Sequence, residues 1–238
     1  MNWSGQRAVV VGGSSGIGLA TARALVSCGA RVVIASRSRQ RLEQALDEIG
    51  DGAEALPLDL TNEAAVEAFF NSIGAFDHVV TSVSASAVGT ILETGISRVR
   101  EAFDTKFWGQ YLTVRYAAPR INPAGSITLV SGIAGRRPPR GGTVLAAQNG
   151  AVEALVRAAA LEFAPVRVNA IAPGLIDTPF WDHVDSGRRD AVYATTAARV
   201  PLQRVGAAED CAEAIVSIME ARYITGTILD VDGGALIA

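Results

Sequence analysis

The sequence predicts an α/β fold: a doubly wound parallel sheet of about seven strands with helices on both faces. Three observations predict it. Short β-branched runs alternate with longer helical patterns along the whole chain. The runs are apolar throughout rather than alternating, as expected of strands covered on both faces. The first run passes through a glycine-rich turn straight into a helix.

"RAVVVGG" (7–13) reads as a buried strand, and "GIGLATARALVSCGA" (16–30) as a helix that stops at Gly29. "RVVIASR" (31–37) is a strand, and "QRLEQALDEIG" (40–50) a helix closed by Gly50. "GAEALPLDL" holds the third strand. "NEAAVEAFFNSIG" (62–74) is a helix with Gly74 in the stop position. "FDHVVTSVS" is the fourth strand, and two helical segments follow from about Gly95 to Ala118. "GSITLVSG" is the fifth strand. "GGTVLAAQNGAVEALVRAAALEF", from Gly141, supplies the next helix. "VRVNAIAPG" is the sixth strand, "AAEDCAEAIVSIMEA" (207–221) a helix and "GTILDVDGG" (226–234) the last strand. "GRRPPRGG" (135–142) is a loop and not a boundary, because strand and helix resume in phase after it. The expectation is a single domain over 1–238.

The chain has 238 residues, enough for one domain with a full core, and 49% are hydrophobic, which excludes a disordered chain. A net charge of −3 offers no electrostatic case for nucleic acid or an anionic membrane. No apolar run approaches the ~18 residues of a membrane span. The start lacks the apolar core of a signal peptide, and Cys28 and Cys211 read as buried free thiols. The expected compartment is the cytoplasm. Two His and two Cys, widely separated, form no metal ligand set.

The first chemical signal is "VVVGGSSGIGLATA". Gly12, Gly16 and Gly18 lie between strand and helix, where glycine lets the backbone approach a phosphate. The helix that follows points its amide dipole at that anion. The second signal follows the second strand. An NAD site usually places an acid there, to accept from the ribose hydroxyls. Here the position holds Ser36, with Arg37 beside it. A hydroxyl and a guanidinium suit a ribose 2′-phosphate, so NADP(H) is favoured over NAD(H). Arg39 and Arg41 read as a solvated helix face.

On these motifs the sequence resembles the short-chain dehydrogenase/reductase family, nearly end to end. "GGSSGIG" resembles its Gly-x-x-x-Gly-x-Gly loop, which implies cofactor contacts from Gly12, Ser14, Ser15, Gly16, Ile17 and Gly18. "LPLDLTN" resembles the adenine-binding segment and assigns Asp59 and Leu60 to it. "RVNAIAPGLIDTP" resembles the segment around the nicotinamide, implying roles for Pro173, Gly174, Ile176 and Thr178. "YITGTILDVDGG" resembles the family's C-terminal signature. The resemblance implies a Rossmann-like fold, a segment at about 175–206 that covers the substrate, and a homo-oligomer, tetramer or dimer. The Ala-rich helix 149–164 would suit close packing between subunits.

The family's chemistry rests on a Tyr-x-x-x-Lys pair, a Ser and an Asn. Ser131, at the end of the fifth strand, matches the Ser. Aligning the helix body puts Leu145 at the Tyr position and Asn149 at the Lys position, and a shift by one gives Val144 and Gln148. Neither register contains a Tyr or a Lys. Lys106 stands at the Asn position, and Thr81, Ser82, Val83, Ser84 replace Asn-Asn-Ala-Gly. Four departures gather at one site while the cofactor segments keep their pattern.

A carbonyl oxygen that is being reduced must receive a proton, and Leu has none to give. One reading keeps an NADP(H)-dependent oxidoreductase with a replaced acid. Its candidates are Lys106, whose pKa burial can lower, and more weakly Tyr193 and His183 in the substrate-covering segment, with Ser131 orienting the oxygen. The bland alternatives are a surface or ion-paired lysine and a Tyr or His that packs or caps. A second reading is a protein that binds NADP(H) without chemistry, as a sensor or partner subunit, with Asn149 still on the ribose. A third is a non-redox lyase or isomerase on the same fold. His78, inside a strand, reads as structural. The substrate should be small and fairly apolar, since Leu145 and Val83 replace polar groups.

Overall fold

The computed structural model describes residues 3–85, 87–182 and 184–238. Its strands are β1 (Arg7–Val11), β2 (Arg31–Ser36), β3 (Ala53–Pro57), β4 (Phe76–Thr81), β5 (Ile121–Val130), β6 (Arg167–Pro173), β7 (Ile176–Asp177), β8 (Gly206–Ala207) and β9 (Ile228–Val231). Its α-helices are α1 (Gly16–Ser27), α2 (Arg39–Ile49), α3 (Glu63–Ile73), α4 (Ile96–Phe103), α5 (Gly109–Ala117), α6 (Thr143–Glu162), α7 (Ser186–Ala197) and α8 (Ala208–Glu220). A π-helical turn, Asp104–Trp108, joins α4 to α5.

Seven strands form a parallel sheet in the order β3-β2-β1-β4-β5-β6-β9. The apolar runs have a simple cause. In β1, Val9 and Val11 enter one core with Phe69, Phe70, Leu129, Val152 and Val156, under α3, α5 and α6. Ala8 and Val10 enter the other with Leu25, Leu42, Ile215 and Met219, under α1, α2 and α8. Side chains alternate across a strand, so a strand covered on both faces is apolar at every position.

The chain runs outward through β2 and β3, then returns to lay β4 on the other side of β1. That reversal opens a crevice beyond the C-terminal ends of β1 and β4, the place where open α/β sheets bind ligands. Glycine stops at Gly50 and Gly74 end α2 and α3, both at positive φ.

Three elements were absent from the sequence reading. β7 pairs with β8, and between them lies α7, whose N-cap Asp185 accepts from the Arg188 amide. At the start of β6, the buried Arg167 donates to the carbonyls of Ile218, Met219 and Ala221, at 3.1, 2.7 and 3.1 Å. It thereby satisfies the C-terminal end of α8, where a cation also meets the negative pole of the helix. Among the described residues no helix is long and apolar enough to cross a membrane.

Candidate active site

The crevice is a cleft of about 230 Å³. Gly12, Ser14 and Ser15 line it from the first turn, Ser36 and Arg37 from the end of β2, Arg41 from the start of α2, and Asp59 and Leu60 from the segment after β3. Ser82, Val83 and Ser84 close it from β4. Arg41, solvent-exposed in the first turn of α2, also lines the cleft. Arg39 is exposed and does not line the cleft.

The glycines are there for contact. A Cβ on Gly12 would lie 2.3 Å from the Ser82 carbonyl oxygen, and one on Gly18 would lie 2.2 Å from the Gly12 carbonyl oxygen. Only glycine lets β1, β4 and the start of α1 meet this closely. Ile17 is partly buried in the core under α1, and Thr178 lies against Gly16. Ser15, at the N-cap, makes no side-chain cap bond, and the first turn of α1 carries no acid. Its leading amides are left for an anion. The Ser36 hydroxyl is buried without a partner. Orphaned polar atoms in a cleft with two guanidinium groups fit a phosphorylated ribose. Asp59 accepts from the Thr61 amide and hydroxyl at 3.0 and 2.8 Å, and these bonds, with Arg37 nearby, lower its pKa.

Beyond β6, the Gly174 amide bonds to the Val231 carbonyl at 2.9 Å, so Pro173 and Gly174 are tied to the last strand. Ile176 is buried in β7.

The structure brings Lys106, Ser131 and Asn149 together. Lys106 sits in the π turn, a local widening that re-aims helical side chains and recurs at functional sites. It is only 5% exposed, and its Nζ donates to the Ser131 carbonyl at 2.9 Å. It is neither a surface charge nor a member of a salt bridge among the described residues. Burial pulls its pKa down to about 8. It is also the only lysine in the sequence, where every other basic side chain apart from two histidines is Arg. Gln110, one turn on, is fully buried. It accepts from the Thr81 hydroxyl at 2.8 Å and donates to the Val130 carbonyl at 3.2 Å, pinning the helix to β4 and β5.

On α6, Asn149 is buried against Gly132, and its Oδ1 has no partner. Leu145, one turn earlier, is half-buried. Gln148 is fully buried, with both amide atoms unpartnered.

Tyr193 lies elsewhere. Its hydroxyl donates to Asp177 at 3.0 Å, its ring packs on Trp181, and burial together with Asp177 pushes its pKa up to about 12. No hydrogen bond among the described residues links it to Ser131 or Lys106. His183 lies outside the described residues. His78 bonds through both ring nitrogens, to Ser126 and Gln6, each at 2.8 Å.

Sequence reasoning passed over Glu153. It is buried on α6, one turn beyond Asn149, and its Oε1 stands 3.4 Å from the Ser131 hydroxyl and 3.3 Å from Arg136 Nε. An acid on the apolar face of α6 was the available signal.

Residues 11–235 match the family model described as enoyl-(acyl carrier protein) reductase. A short-chain dehydrogenase/reductase of Stachybotrys chlorohalonatus is 35% identical over 98% of both chains. The cis-4-hydroxycyclohexanecarboxylate dehydrogenase of Sinomonas cyclohexanicum is 35% identical over 95% of both. A small-chain dehydrogenase solved in complex with NADPH superposes with a TM-score of 0.88 at 38% identity, over 98% of this chain and 99% of that one. With the parallel sheet, the glycine turn and these matches in hand, the chain is a member of the short-chain dehydrogenase/reductase family.

Proposed function

We propose that this chain is an NADP(H)-preferring oxidoreductase of a small, fairly apolar carbonyl or hydroxyl compound, with Lys106 in place of the family's tyrosine as proton donor. The observation that carries this reading is the state of Lys106. A sole lysine, buried beside Ser131 and with its pKa pulled to about 8, is suited to exchange a proton near neutral pH. Ser131 meets the substrate oxygen.

When bound, the nicotinamide group supplies or takes the hydride. Gly12, Ser14, Ser15, Gly16, Ile17 and Gly18 would hold the phosphates, and Ser36, Arg37 and Arg41 the 2′-phosphate. Asp59 and Leu60 would hold the adenine, and Asn149 the nicotinamide ribose. Pro173, Gly174, Ile176 and Thr178 would border the nicotinamide. The preference for NADP(H) is supported by the two arginines and the unpartnered Ser36 hydroxyl, and by the NADPH in the similar dehydrogenase. Leu145 and Val83 keep the substrate side dry, and 175–206 would cover it. We place the protein in the cytoplasm as a homo-oligomer.

A second reading, a catalytically silent NADP(H)-binding subunit, is favoured by one observation. The first turns of α6, from Thr143 to Asn149, hold no side chain that titrates near neutral pH.

One experiment separates the two. The purified protein is titrated with NADPH and NADH, then assayed with a panel of ketones, aldehydes and alcohols. Absence of nucleotide binding overturns both readings. Tight NADPH binding without turnover selects the silent subunit. Turnover lost in Lys106→Ala and kept in Tyr193→Phe supports the lysine.

A further inference from the structure

We propose that Gln110 is a positioning residue, whose amide clamps the π turn across the ends of β4 and β5 and so holds the Lys106 amine at the Ser131 carbonyl. The inference rests on the reading above in one respect, that Lys106 exchanges the proton.

The clamp answers a need of the sheet. The Ser131 amide donates to the Ile171 carbonyl of β6 at 2.9 Å. A trans peptide points its N–H and its C=O in opposite directions, so the Val130 carbonyl faces the side of β4. β4 has ended there. Its last paired residue, Thr81, stands opposite Leu129, and the Ser82 amide turns to the Val11 carbonyl of β1 at 2.8 Å. With no strand left beside it, a buried carbonyl needs another donor. Gln110 Nε2 is that donor, at 3.2 Å. A carbonyl only accepts, which fixes the amide nitrogen toward Val130 and the amide oxygen toward Thr81. The Thr81 hydroxyl donates to that oxygen at 2.8 Å. Gln110 thus joins two strand ends, and it is fully buried, where such bonds are strong.

Lys106 and Gln110 take neighbouring carbonyls, those of Ser131 and Val130. The π turn that carries Lys106 closes on the bond from the Gly109 amide to the Asp104 carbonyl, immediately before Gln110. The glutamine therefore fixes the C-terminal end of the turn to the sheet, and the placement of the lysine follows from it. Without the clamp the turn is free to draw away from β5 and let water reach the amine. Among the charged groups on α4, α5 and α6, which pack against the turn, only Glu153 is buried, and it pairs with Arg136. Asp104, in the turn itself, is exposed. Burial, and no neighbouring charge, sets the state of Lys106.

The test reads Lys106 directly. In the full chain labelled with 15N-lysine, the sole lysine gives one side-chain resonance, whose titration midpoint reports how well the amine is buried. Gln110→Met keeps the length of the side chain and removes both bonds. Its midpoint is expected to lie about one pH unit or more above the parent's, toward the ordinary lysine value. Thr81→Val, which removes only the hydroxyl, should move the midpoint the same way by less, and Thr81→Ser, which keeps the hydroxyl, should match the parent. A midpoint unchanged or lowered in Gln110→Met, or in Thr81→Val if that variant alone folds, overturns the clamp. In carbonyl reduction, Gln110→Met is expected to lower kcat about tenfold or more at unchanged NADPH affinity, and to lose nothing further on top of Lys106→Met. An equal loss in both backgrounds overturns the positioning role. If the parent reduces no carbonyl compound, the proposed function falls, while the midpoints still decide the fate of Gln110.

Discussion

Lys106 Nζ donates to the backbone carbonyl of Ser131 at 2.9 Å, so the chain's one lysine is anchored on the residue that ends β5. The bond joins the π turn to the end of β5.

The protonation of Lys106 should govern turnover. Carbonyl reduction needs the charged amine as acid, so its rate should be level below about pH 8 and fall as pH rises through that value. Lys106→Met should lower it by roughly 10²–10⁴-fold. With 15N-lysine labelling the side chain gives a single resonance, whose titration midpoint measures the same pKa without any assay. A midpoint near the ordinary 10.5 would contradict the burial account.

The same shift carries a stability consequence. The folded pKa is below the unfolded one, so between about 8 and 10.5 the unfolded chain binds more protons. Stability contributed by Lys106 is present above that window and lost as pH falls through it. Lys106→Met should therefore be as stable as the parent or more so at pH 7, because it removes a buried charge, and urea unfolding checks this.

His78 acts in the same direction at lower pH. Burial pulls its pKa down to about 4 from 6.5, and it is held between Ser126 and Gln6. Its contribution should be complete above pH 6.5 and decline by up to about 3 kcal/mol as pH falls toward 4. His78→Gln should flatten that limb of the urea-unfolding profile.

The cleft should discriminate between the two nicotinamide nucleotides. Arg37→Ala is expected to weaken NADPH binding by roughly 10–100-fold, the value of a hydrogen bond to a charged group, with little change for NADH. Equal losses for both nucleotides, measured by calorimetry, would remove the 2′-phosphate from the account.

Leu145→Tyr combined with Asn149→Lys should restore ordinary reductase activity, since the two positions lie one turn apart on α6 at the exit of β5. The control Leu145→Phe with Asn149→Lys should stay at parental activity. A folded, NADPH-binding double variant without activity would show that the register or the reading of the pocket is wrong.

The fold was legible because its signals are local. Gly50 and Gly74 end helices by conformation, and the all-apolar runs "AVVV" and "VVIA" follow from cover on both faces. α7 was not legible. Its residues 186–197 bury no side chain fully, so the helix has no apolar stripe to read. β7 and β8 are two residues each, and their pairing of Ile176 with Gly206 exists only once the chain has folded back. At the site, the glycine turn was legible from its spacing, and Ser131 and Asn149 only through the resemblance to the family. Glu153 and Gln148 were not, since a polar residue in a helix reads as exposed until a partner or a packed neighbour says otherwise. Lys106 was legible as a position and not as a state, because burial sets that state.

The isolation of Lys106 also makes the protein a reporter of its own opening. Amine-directed acylation of the native chain should spare the shielded ε-amine. Acylated Lys106 would appear only in molecules that had transiently exposed the π turn. Mass spectra of a timed reaction would then count opening events one at a time, with no probe added to the chain.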